Sequence, residues 1–375
     1  MLLEFGAYNF ASFKEGFQVN LREKKNSLEA HTLMGIKGAN ASGKTNVLKV
    51  PSFLSFFCTT SFYSNPSSKI NFRPFFDNKE ETSIYAIFAE NSIEYKYEID
   101  LTVDKVIKES IYRRDKLIIE RIDNEITTNT IDEFKDFKTM ILRNNVSLIS
   151  TAKQYGSKSI DIIYNLFSKI IGNVHAYGLL DKALDYEIVS KAYHQDKKLF
   201  DFLKEILIKI DTGISDIEIV EREDSETKEK TYYPIFHYTI DKKIKYLTYY
   251  DQSSGTKTLF LQLSLYKRVL DRAGILILDE LDINLHPDLI PILLNLFESK
   301  KINTKNAQLI FTTHNNEIMD RLKKSRIVLV NKEDNQSYLY KLDETGEILR
   351  NDRPISKVYN TGRLGGKPKI ELDYE

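Results

Sequence analysis

The chain has 375 residues, and 42% of them are hydrophobic, so it is long enough to bury the core of one large domain or of two closely packed ones. Its 54 lysines and arginines balance its 54 aspartates and glutamates. A net charge of zero gives no electrostatic reason to expect tight, non-specific binding to nucleic acid or to membranes. Cys58 is the single cysteine, which excludes an internal disulfide and a multi-cysteine metal site.

The first twenty residues alternate like a strand and contain charges, so they predict no signal peptide. The longest apolar stretches, residues 51–57 and 275–278, are much shorter than the roughly 20 residues of a membrane-spanning helix. We therefore expect a soluble, cytoplasmic protein without a membrane partner.

Short strands are predicted throughout the first 37 residues, and the last of them, residues 32–37, runs into a glycine-containing loop. A helix is predicted to begin at Asn46, with Pro51 bending or restarting it. Residues 82–120 alternate again, which predicts a strand-rich segment with a turn at residues 90–92.

Residues 131–207 carry apolar side chains spaced by three and four, which predicts an inserted helical segment. The spacing is clearest at these positions: Ile160, Ile163, Tyr164, Phe167, Ile170 and Ile171. A hairpin is predicted to follow, with strands at residues 214–221 and 232–240 and a charged, solvated loop between them.

From residue 246 onward, predicted strands and helices alternate. The helices are predicted at residues 255–273, 289–299 and 316–323, and the strands at residues 275–278, 308–312 and 326–331, with a further hairpin at residues 338–342. This alternation is typical of a parallel, doubly wound sheet, so the predicted fold class is α/β.

The glycine-containing loop, Gly-Ala-Asn-Ala-Ser-Gly-Lys-Thr, matches the phosphate-binding P-loop at every constrained position and lies between a predicted strand and a predicted helix. Its glycines let the backbone wrap a phosphate, Lys44 reaches the β and γ phosphates, and Thr45 binds Mg²⁺. The predicted nucleotide-binding residues are Gly38, Ala39, Asn40, Ala41, Ser42, Gly43, Lys44, Thr45 and Asn46.

Two further buried strands are predicted to end in residues that suit phosphate chemistry. Asp279 follows four apolar residues, where its carboxylate suits a magnesium ion, and Glu280 next to it suits a general base for water. The strand at residues 308–312 leads to His314, which would sense or stabilise the γ-phosphate; such a histidine on its own is more often a capping or core residue. The predicted catalytic residues are thus Glu280 and His314, and the predicted metal ligands are Thr45 and Asp279.

A second phosphate site is predicted at the start of the helix at residues 255–273, where small hydroxyl residues flank a glycine. Its residues are Ser253, Ser254, Gly255 and Thr256. The order of P-loop, long insertion, serine–glycine signature, apolar strand with Asp-Glu and strand ending in histidine resembles the ABC-type ATPases of the SMC, RecF and OLD kind. That resemblance implies ATP and Mg²⁺ as cofactors. It also implies a homodimer or higher homo-oligomer, in which each signature binds the γ-phosphate on the opposite P-loop.

Within that class, the chain resembles the short, stand-alone ATPases of bacterial defence operons, those of abortive-infection and PARIS-like systems. The residues that carry this resemblance are 9–13 (Asn-Phe-Ala-Ser-Phe), 254–256 (Ser-Gly-Thr), 284–287 (Asn-Leu-His-Pro) and 362–366 (Gly-Arg-Leu-Gly-Gly). The chain departs from transporters of the ABC type because its signature is not Leu-Ser-Gly-Gly-Gln, and His286 stands where they have an aspartate. No Q-loop glutamine is placed.

The resemblance implies an ABC-type P-loop fold in three parts. These are an N-terminal ATPase lobe with an antiparallel β-subdomain (residues 1–130), an inserted helical lobe (131–212) and a C-terminal ATPase lobe (213–375). The implied function is a slow, regulatory ATPase that controls a partner effector encoded nearby, in anti-phage defence. Too few residues follow His314 for the nuclease domain of full-length OLD proteins.

The alternative function is a DNA-repair or DNA-clamping ATPase. The basic residues Arg321, Lys323, Lys324 and Arg326, or a basic tail at residues 353–369, would then contact DNA phosphates. DNA binding is possible but has no support from the net charge, and a solvated helix end and tail is the simpler interpretation of these residues.

Overall fold

The fold is given by a computed structural model, which describes residues 1–129, 134, 137, 139–175, 178–179, 185–211, 213–348 and 354–367. Parts of the predicted helical lobe and of the predicted basic tail lie outside these residues. Within them, no helix combines the length and the apolar character that crossing a membrane requires.

The first strands of the chain are β1 (Leu2–Tyr8), β2 (Phe17–Asn20), β3 (Leu33–Gly38), β4 (Thr82–Glu90), β5 (Ile93–Leu101), β6 (Val106–Arg113), β7 (Lys116–Ile122), β8 (Glu125–Asn129) and β9 (Ile170–Gly172). The later strands are β10 (Val174–His175), β11 (Gly178–Leu179), β12 (Ile214–Glu223), β13 (Lys230–Ile240), β14 (Lys243–Thr248), β15 (Ile275–Leu278), β16 (Gln308–Thr312), β17 (Ile327–Glu333) and β18 (Gln336–Lys341). The helices are α1 (Lys44–Thr60), α2 (Leu148–Gln154), α3 (Asp161–Ser168), α4 (Tyr186–Gln195), α5 (Lys197–Ile210), α6 (Ser254–Arg272), α7 (Ile290–Glu298), α8 (Glu317–Arg321) and α9 (Ile355–Asn360).

The chain forms two compact units. The first contains residues 1–179, 273–281 and 306–375, and the second contains residues 180–272 and 282–305. The three-part division inferred from the sequence stays a prediction.

One sheet of the first unit is antiparallel, with the order β2-β1-β4-β5-β6-β7-β8. Its strands β4 and β5 bury every second side chain, which is the pattern of a sheet with one face on the core. Asn91 and Ser92 both have positive φ and close the tight turn between the two strands, at the predicted position. The predicted N-terminal antiparallel subdomain is therefore confirmed.

The other large sheet of the first unit has the order β18-β17-β3-β16-β15-β9. All neighbouring strands in it are parallel except β17 and β18, which form the predicted hairpin. Strands β3, β15 and β16 are buried along their whole length, as expected for a parallel sheet covered on both faces. The predicted α/β fold class is confirmed.

One local prediction is wrong, and of the two alternatives given for Pro51, a bend or a restart, the restart is excluded. Ile170 and Ile171 were predicted to continue a helix, but α3 ends at Ser168 and both residues belong to β9, which pairs with β15. β-branched residues favour strands, and three residues are too short a run for periodicity to show this. Pro51 lies inside α1, which continues to Thr60 without restarting. Burial of the apolar face of α1 outweighs the hydrogen bond that proline removes.

The second unit contains the three-stranded antiparallel sheet β12-β13-β14 together with α4, α5, α6 and α7. Strands β12 and β13 form the predicted hairpin, and β14 adds a third strand. Tyr193 of α4 donates a hydrogen bond to the carbonyl of Phe260 in α6 at 2.7 Å, and their rings pack edge to face. Helix α6, which begins with the signature residues Ser254, Gly255 and Thr256, is thereby fixed within its own unit.

Candidate functional site

The P-loop joins the buried strand β3 to helix α1, and its backbone requires glycine at both ends. A Cβ atom on Gly38 would lie 2.3 Å from the carbonyl oxygen of Val330. Gly43 has a φ of +110°, and a Cβ there would lie 2.6 Å from the hydroxyl of Ser337. Because Gly43 is the N-cap and has no capping side chain, the first turn of α1 keeps its amides directed at the loop, where they suit an anion.

Lys44 places its ammonium group inside the P-loop. The side chain is buried, and Nζ donates hydrogen bonds to the carbonyls of Gly38 at 3.0 Å and Ala39 at 2.9 Å. These contacts hold the positive charge over the loop. They leave the ammonium where phosphate oxygens bound by the loop amides would meet it.

Thr45 and Asp279 are 234 positions apart in the sequence, and the fold brings them into contact. Thr45 Oγ1 donates a hydrogen bond of 2.6 Å to Asp279 Oδ2. Thr312, at the end of β16, donates one of 2.5 Å to Asp279 Oδ1. Asp279 is almost fully buried, so these hydroxyls hold its carboxylate in one orientation at the carboxyl end of β15.

The pair of Thr45 and Asp279 fits a magnesium ion. Hydroxyl and carboxylate oxygens are the ligands that Mg²⁺ prefers, and the ion usually binds through one or two protein groups plus substrate phosphates. Within the described residues, no group of three or more histidine, cysteine or acidic side chains is arranged to hold a metal. Magnesium held by so few protein groups usually completes its coordination with water molecules and substrate phosphates.

Glu280 is held in a left-handed backbone conformation, with a φ of +53°. This conformation costs a non-glycine residue about 1–3 kcal/mol. The Glu280 amide donates to the hydroxyl of Thr312 at 2.7 Å, so the residue that binds Asp279 also fixes the turn after it. The side chain of Glu280 is partly exposed, so water can reach its carboxylate.

His314 follows β16 and has an exposed side chain. Its backbone carbonyl accepts a hydrogen bond of 2.8 Å from Nζ of Lys37, a buried lysine of β3. Because β16 lies between β3 and β15, the histidine follows a strand that borders both the P-loop strand and the Asp279 strand.

The signature residues lie in the second unit, at the start of α6. The Ser253 hydroxyl accepts a hydrogen bond from the amide of Thr256 at 3.1 Å and so caps the helix. Thr256 Oγ1 also bonds Asp211 at 2.9 Å. A Cβ on Gly255 would lie 2.8 Å from the carbonyl oxygen of Asn284. Close packing within one copy of the chain is therefore enough to explain why this position is a glycine. Ser254 is exposed at the first position of the helix.

Sequence reasoning missed several residues that position this site. Asn173 donates to the carbonyl of Asp279 at 3.0 Å and accepts from the Asp279 amide at 2.8 Å, so it extends the pairing of β9 and β15 by one residue. The sequence around Asn173 does not indicate these hydrogen bonds, because the residues before it were predicted to form a helix and not a strand beside β15. Ser12 and Ser337 clamp the P-loop: the Ser337 hydroxyl donates to the carbonyl of Ser42 and lies within hydrogen-bond distance of the Ser12 hydroxyl, which accepts from Asn46.

Replacing Asn173 with alanine removes both hydrogen bonds to the backbone of Asp279. We expect the free energy of unfolding to fall by about 1–3 kcal/mol, because two backbone groups lose a partner, and ATP hydrolysis to slow. Chemical denaturation and phosphate release measure the two effects. Asn165→Ala, at an exposed position on α3, is the matched control. Equal stability and hydrolysis in Asn173→Ala and the control would contradict this positioning role.

Comparison with known proteins gives a family and a fold. The sequence profile of the family described as "AAA domain, putative AbiEii toxin, Type IV TA system" matches residues 33–320, which is most of the chain. No curated protein sequence is significantly similar to it. The crystal structure of the SmcHead bound to the C-winged helix domain of ScpA is similar in fold, with a TM-score of 0.52 and 13% sequence identity.

That similarity covers 92% of this chain and 98% of the SmcHead chain, and at this level of identity it shows the fold alone. The chain therefore shares the α/β fold of the SmcHead. The matched range includes the P-loop, Asp279 and His314. The chain belongs to the family described as "AAA domain, putative AbiEii toxin, Type IV TA system".

Proposed function

We propose that the chain binds ATP with Mg²⁺ and hydrolyses it slowly, as a regulatory ATPase. The observation that carries this proposal is the 2.6 Å hydrogen bond between Thr45 and Asp279. A hydroxyl beside the P-loop lysine and an aspartate at a nearby strand end are the two protein groups that hold Mg²⁺ in P-loop ATPases. Their contact joins two sequence motifs that are far apart in the chain.

In this proposal each residue has one task. The loop amides and Lys44 bind the β and γ phosphates. Thr45 and Asp279 would hold the Mg²⁺ ion, which neutralises negative charge that develops on the transferred phosphoryl group. Glu280 takes a proton from the attacking water as general base, and His314 contacts the γ-phosphate.

The nucleoside part of ATP is assigned to a cavity of about 310 Å³ beside the P-loop. Asn46, in the first turn of α1 after the P-loop, and Ser12 of the clamp line it and are hydrogen-bonded to each other. Lys49, Arg73 and Phe76 complete the wall, which thus offers cations and an aromatic ring to a ribose and a base.

ATP is proposed to drive self-association. Ser253, Ser254, Gly255 and Thr256 of one copy would bind the γ-phosphate on the P-loop of a second copy, which gives an ATP-sandwiched homodimer. Two features of a single copy support this role. These residues form a capped helix start with an exposed serine, and the N-terminus of a helix favours anions.

This association is proposed to control a separate effector protein, encoded nearby, in cytoplasmic anti-phage defence. The family description names a toxin of a type IV toxin–antitoxin system. The SmcHead with a similar fold is bound to a domain of another protein, ScpA. Both descriptions favour an ATPase that acts together with a partner.

DNA clamping has less support. Arg321, Lys324 and Arg326 already take part in interactions within the fold. Residues 353, 368 and 369 of the predicted basic tail lie outside the described residues. An affinity for DNA that falls steeply as the salt concentration rises would favour this alternative.

The assignment of Glu280 as general base predicts a clear separation of binding from hydrolysis. We expect Glu280→Gln to bind ATP with unchanged affinity and to hydrolyse it roughly 10²- to 10⁴-fold more slowly. Equilibrium binding and phosphate release measure the two quantities. Glu229→Gln, in the exposed loop of the β12–β13 hairpin, is the matched control, and Lys44→Ala should lose ATP binding. Unchanged hydrolysis in Glu280→Gln would show that another group is the base.

The proposed dimer is tested at Ser254. A glutamate there places a negative charge against the γ-phosphate of the opposite subunit, while an acid at a helix start stabilises the isolated helix. The substitution is made in the Glu280→Gln variant, which retains ATP, and the molecular mass is measured by light scattering with ATP and Mg²⁺. We expect Ser254→Glu to bind ATP as a monomer and to form no dimer. Ser254→Gln is the uncharged control. A dimer of undiminished stability in Ser254→Glu would rule out this role of the signature.

A further inference from the structure

Lys37 is a lysine inside a strand that is buried at every position, and its side chain is 3% exposed. Burying an ammonium group is costly unless it has partners. Its Nζ donates a hydrogen bond of 2.8 Å to the carbonyl of His314, and it lies 5.3 Å from the centroid of the Tyr359 ring. These contacts connect the ammonium group to the loop after β16 and to α9.

Tyr359 belongs to what we call the tail segment, residues 354–367, and this segment lies against the P-loop. The Tyr359 hydroxyl donates to the carbonyl of Gly366 at 2.7 Å, and the amide of Gly366 donates to Asn331 on β17. Burial raises the pKa of Tyr359 to about 12, so its hydroxyl remains a donor at neutral pH. A Cβ on Gly366 would lie only 3.7 Å from the Cα of Gly38, the first residue of the P-loop.

The tail segment also holds the residues that follow His314. Asn316 donates a hydrogen bond of 2.8 Å to Asn360. Asp320 of α8 accepts from the amide of Ser356 at 2.9 Å and also from the Ser356 hydroxyl. The loop that carries His314 is therefore fixed at its start by Lys37 and further along by the tail segment.

We propose that Lys37 and the tail segment position His314 for ATP hydrolysis, with Lys37 and Tyr359 as positioning residues. The proposal rests on the proposed ATPase function. The imidazole of His314 is carried by the backbone of this loop, so contacts that hold the backbone also restrict where the imidazole lies. Lys37 precedes Gly38 directly, and it joins that backbone to the strand that carries the P-loop. A misplacement of about 1 Å in a catalytic constellation costs up to roughly 10²-fold in rate.

The test of this role is Lys37→Met, which keeps the apolar stem and removes the charge and the donor. We expect kcat for ATP hydrolysis to fall about 10- to 100-fold, while the affinity for ATP changes little, because the proposed phosphate-binding groups are the loop amides and Lys44, which the substitution leaves in place. In a His314→Ala background, Lys37→Met should cause no further loss, since both changes remove the same contribution. Lys37→Arg, which keeps a donor, should recover part of the rate.

Tyr359→Leu is the second variant, and it covers the case in which Lys37→Met does not fold. It removes the ring beside Lys37, and we expect a smaller fall in kcat that also disappears in the His314→Ala background. Ile292→Ala, at an exposed position on α7, is the control for a general loss of packing. Losses that are equal with and without His314, or an undiminished kcat in both variants, would overturn the proposal.

A measurement without ATP separates this proposal from the ATPase function. Hydrogen exchange followed by mass spectrometry should show faster exchange at residues 314–321 in Lys37→Met and in Tyr359→Leu, with unchanged exchange in β6 and β7. Unchanged exchange at residues 314–321 would overturn the positioning role even if ATP is hydrolysed. Faster exchange in a protein that hydrolyses no ATP would instead refute the proposed function and leave the structural coupling in place.

Discussion

The hydrogen bond between Thr45 and Asp279 is the constraint on which the arrangement of the first unit depends. It requires that α1 start where the P-loop ends, and that β15 end at the same edge of the sheet as β3. Strand β16 lies between those two strands and supplies Thr312, which holds the other oxygen of the carboxylate. Hydrogen bonds to a charged group contribute about 1.5–3 kcal/mol each, and an unbonded carboxylate at this depth would destabilise the fold.

The residues around Asp279 also hold the strained backbone of Glu280 in place. The residues on either side of it are fixed, Asp279 by Asn173 and Leu281 by the carbonyl of Thr312. A positive φ in a non-glycine residue persists only where surrounding contacts determine it. Asp279 is buried and the next residue, Glu280, is partly exposed, so the proposed general base lies where water can reach it.

The parts of this site that sequence reasoning predicts are those with a local pattern. The P-loop combines two glycines, Gly38 where a Cβ atom would clash with Val330 and Gly43 with a positive φ, with a lysine and a threonine at fixed spacing. Asp279 stands out because it ends an apolar run. Asn173 carries no such pattern, since the preceding isoleucines fit a helix as well as a strand, and only pairing with β15 decides between them. The burial of Lys37 is likewise set by the neighbouring strands, and a lysine in a sequence gives no sign of it.

The central claim is that Thr45 and Asp279 hold a magnesium ion for ATP, and the dependence of ATP affinity on Mg²⁺ tests it most directly. ATP binding would be measured by calorimetry with excess Mg²⁺ and with a chelator. The comparison would use the wild-type chain, Thr45→Val, Asp279→Asn and the control Thr59→Val, which lies later on α1. The account predicts that Mg²⁺ strengthens ATP binding in the wild type and the control but not in the other two variants. An equal gain from Mg²⁺ in all four proteins would contradict it.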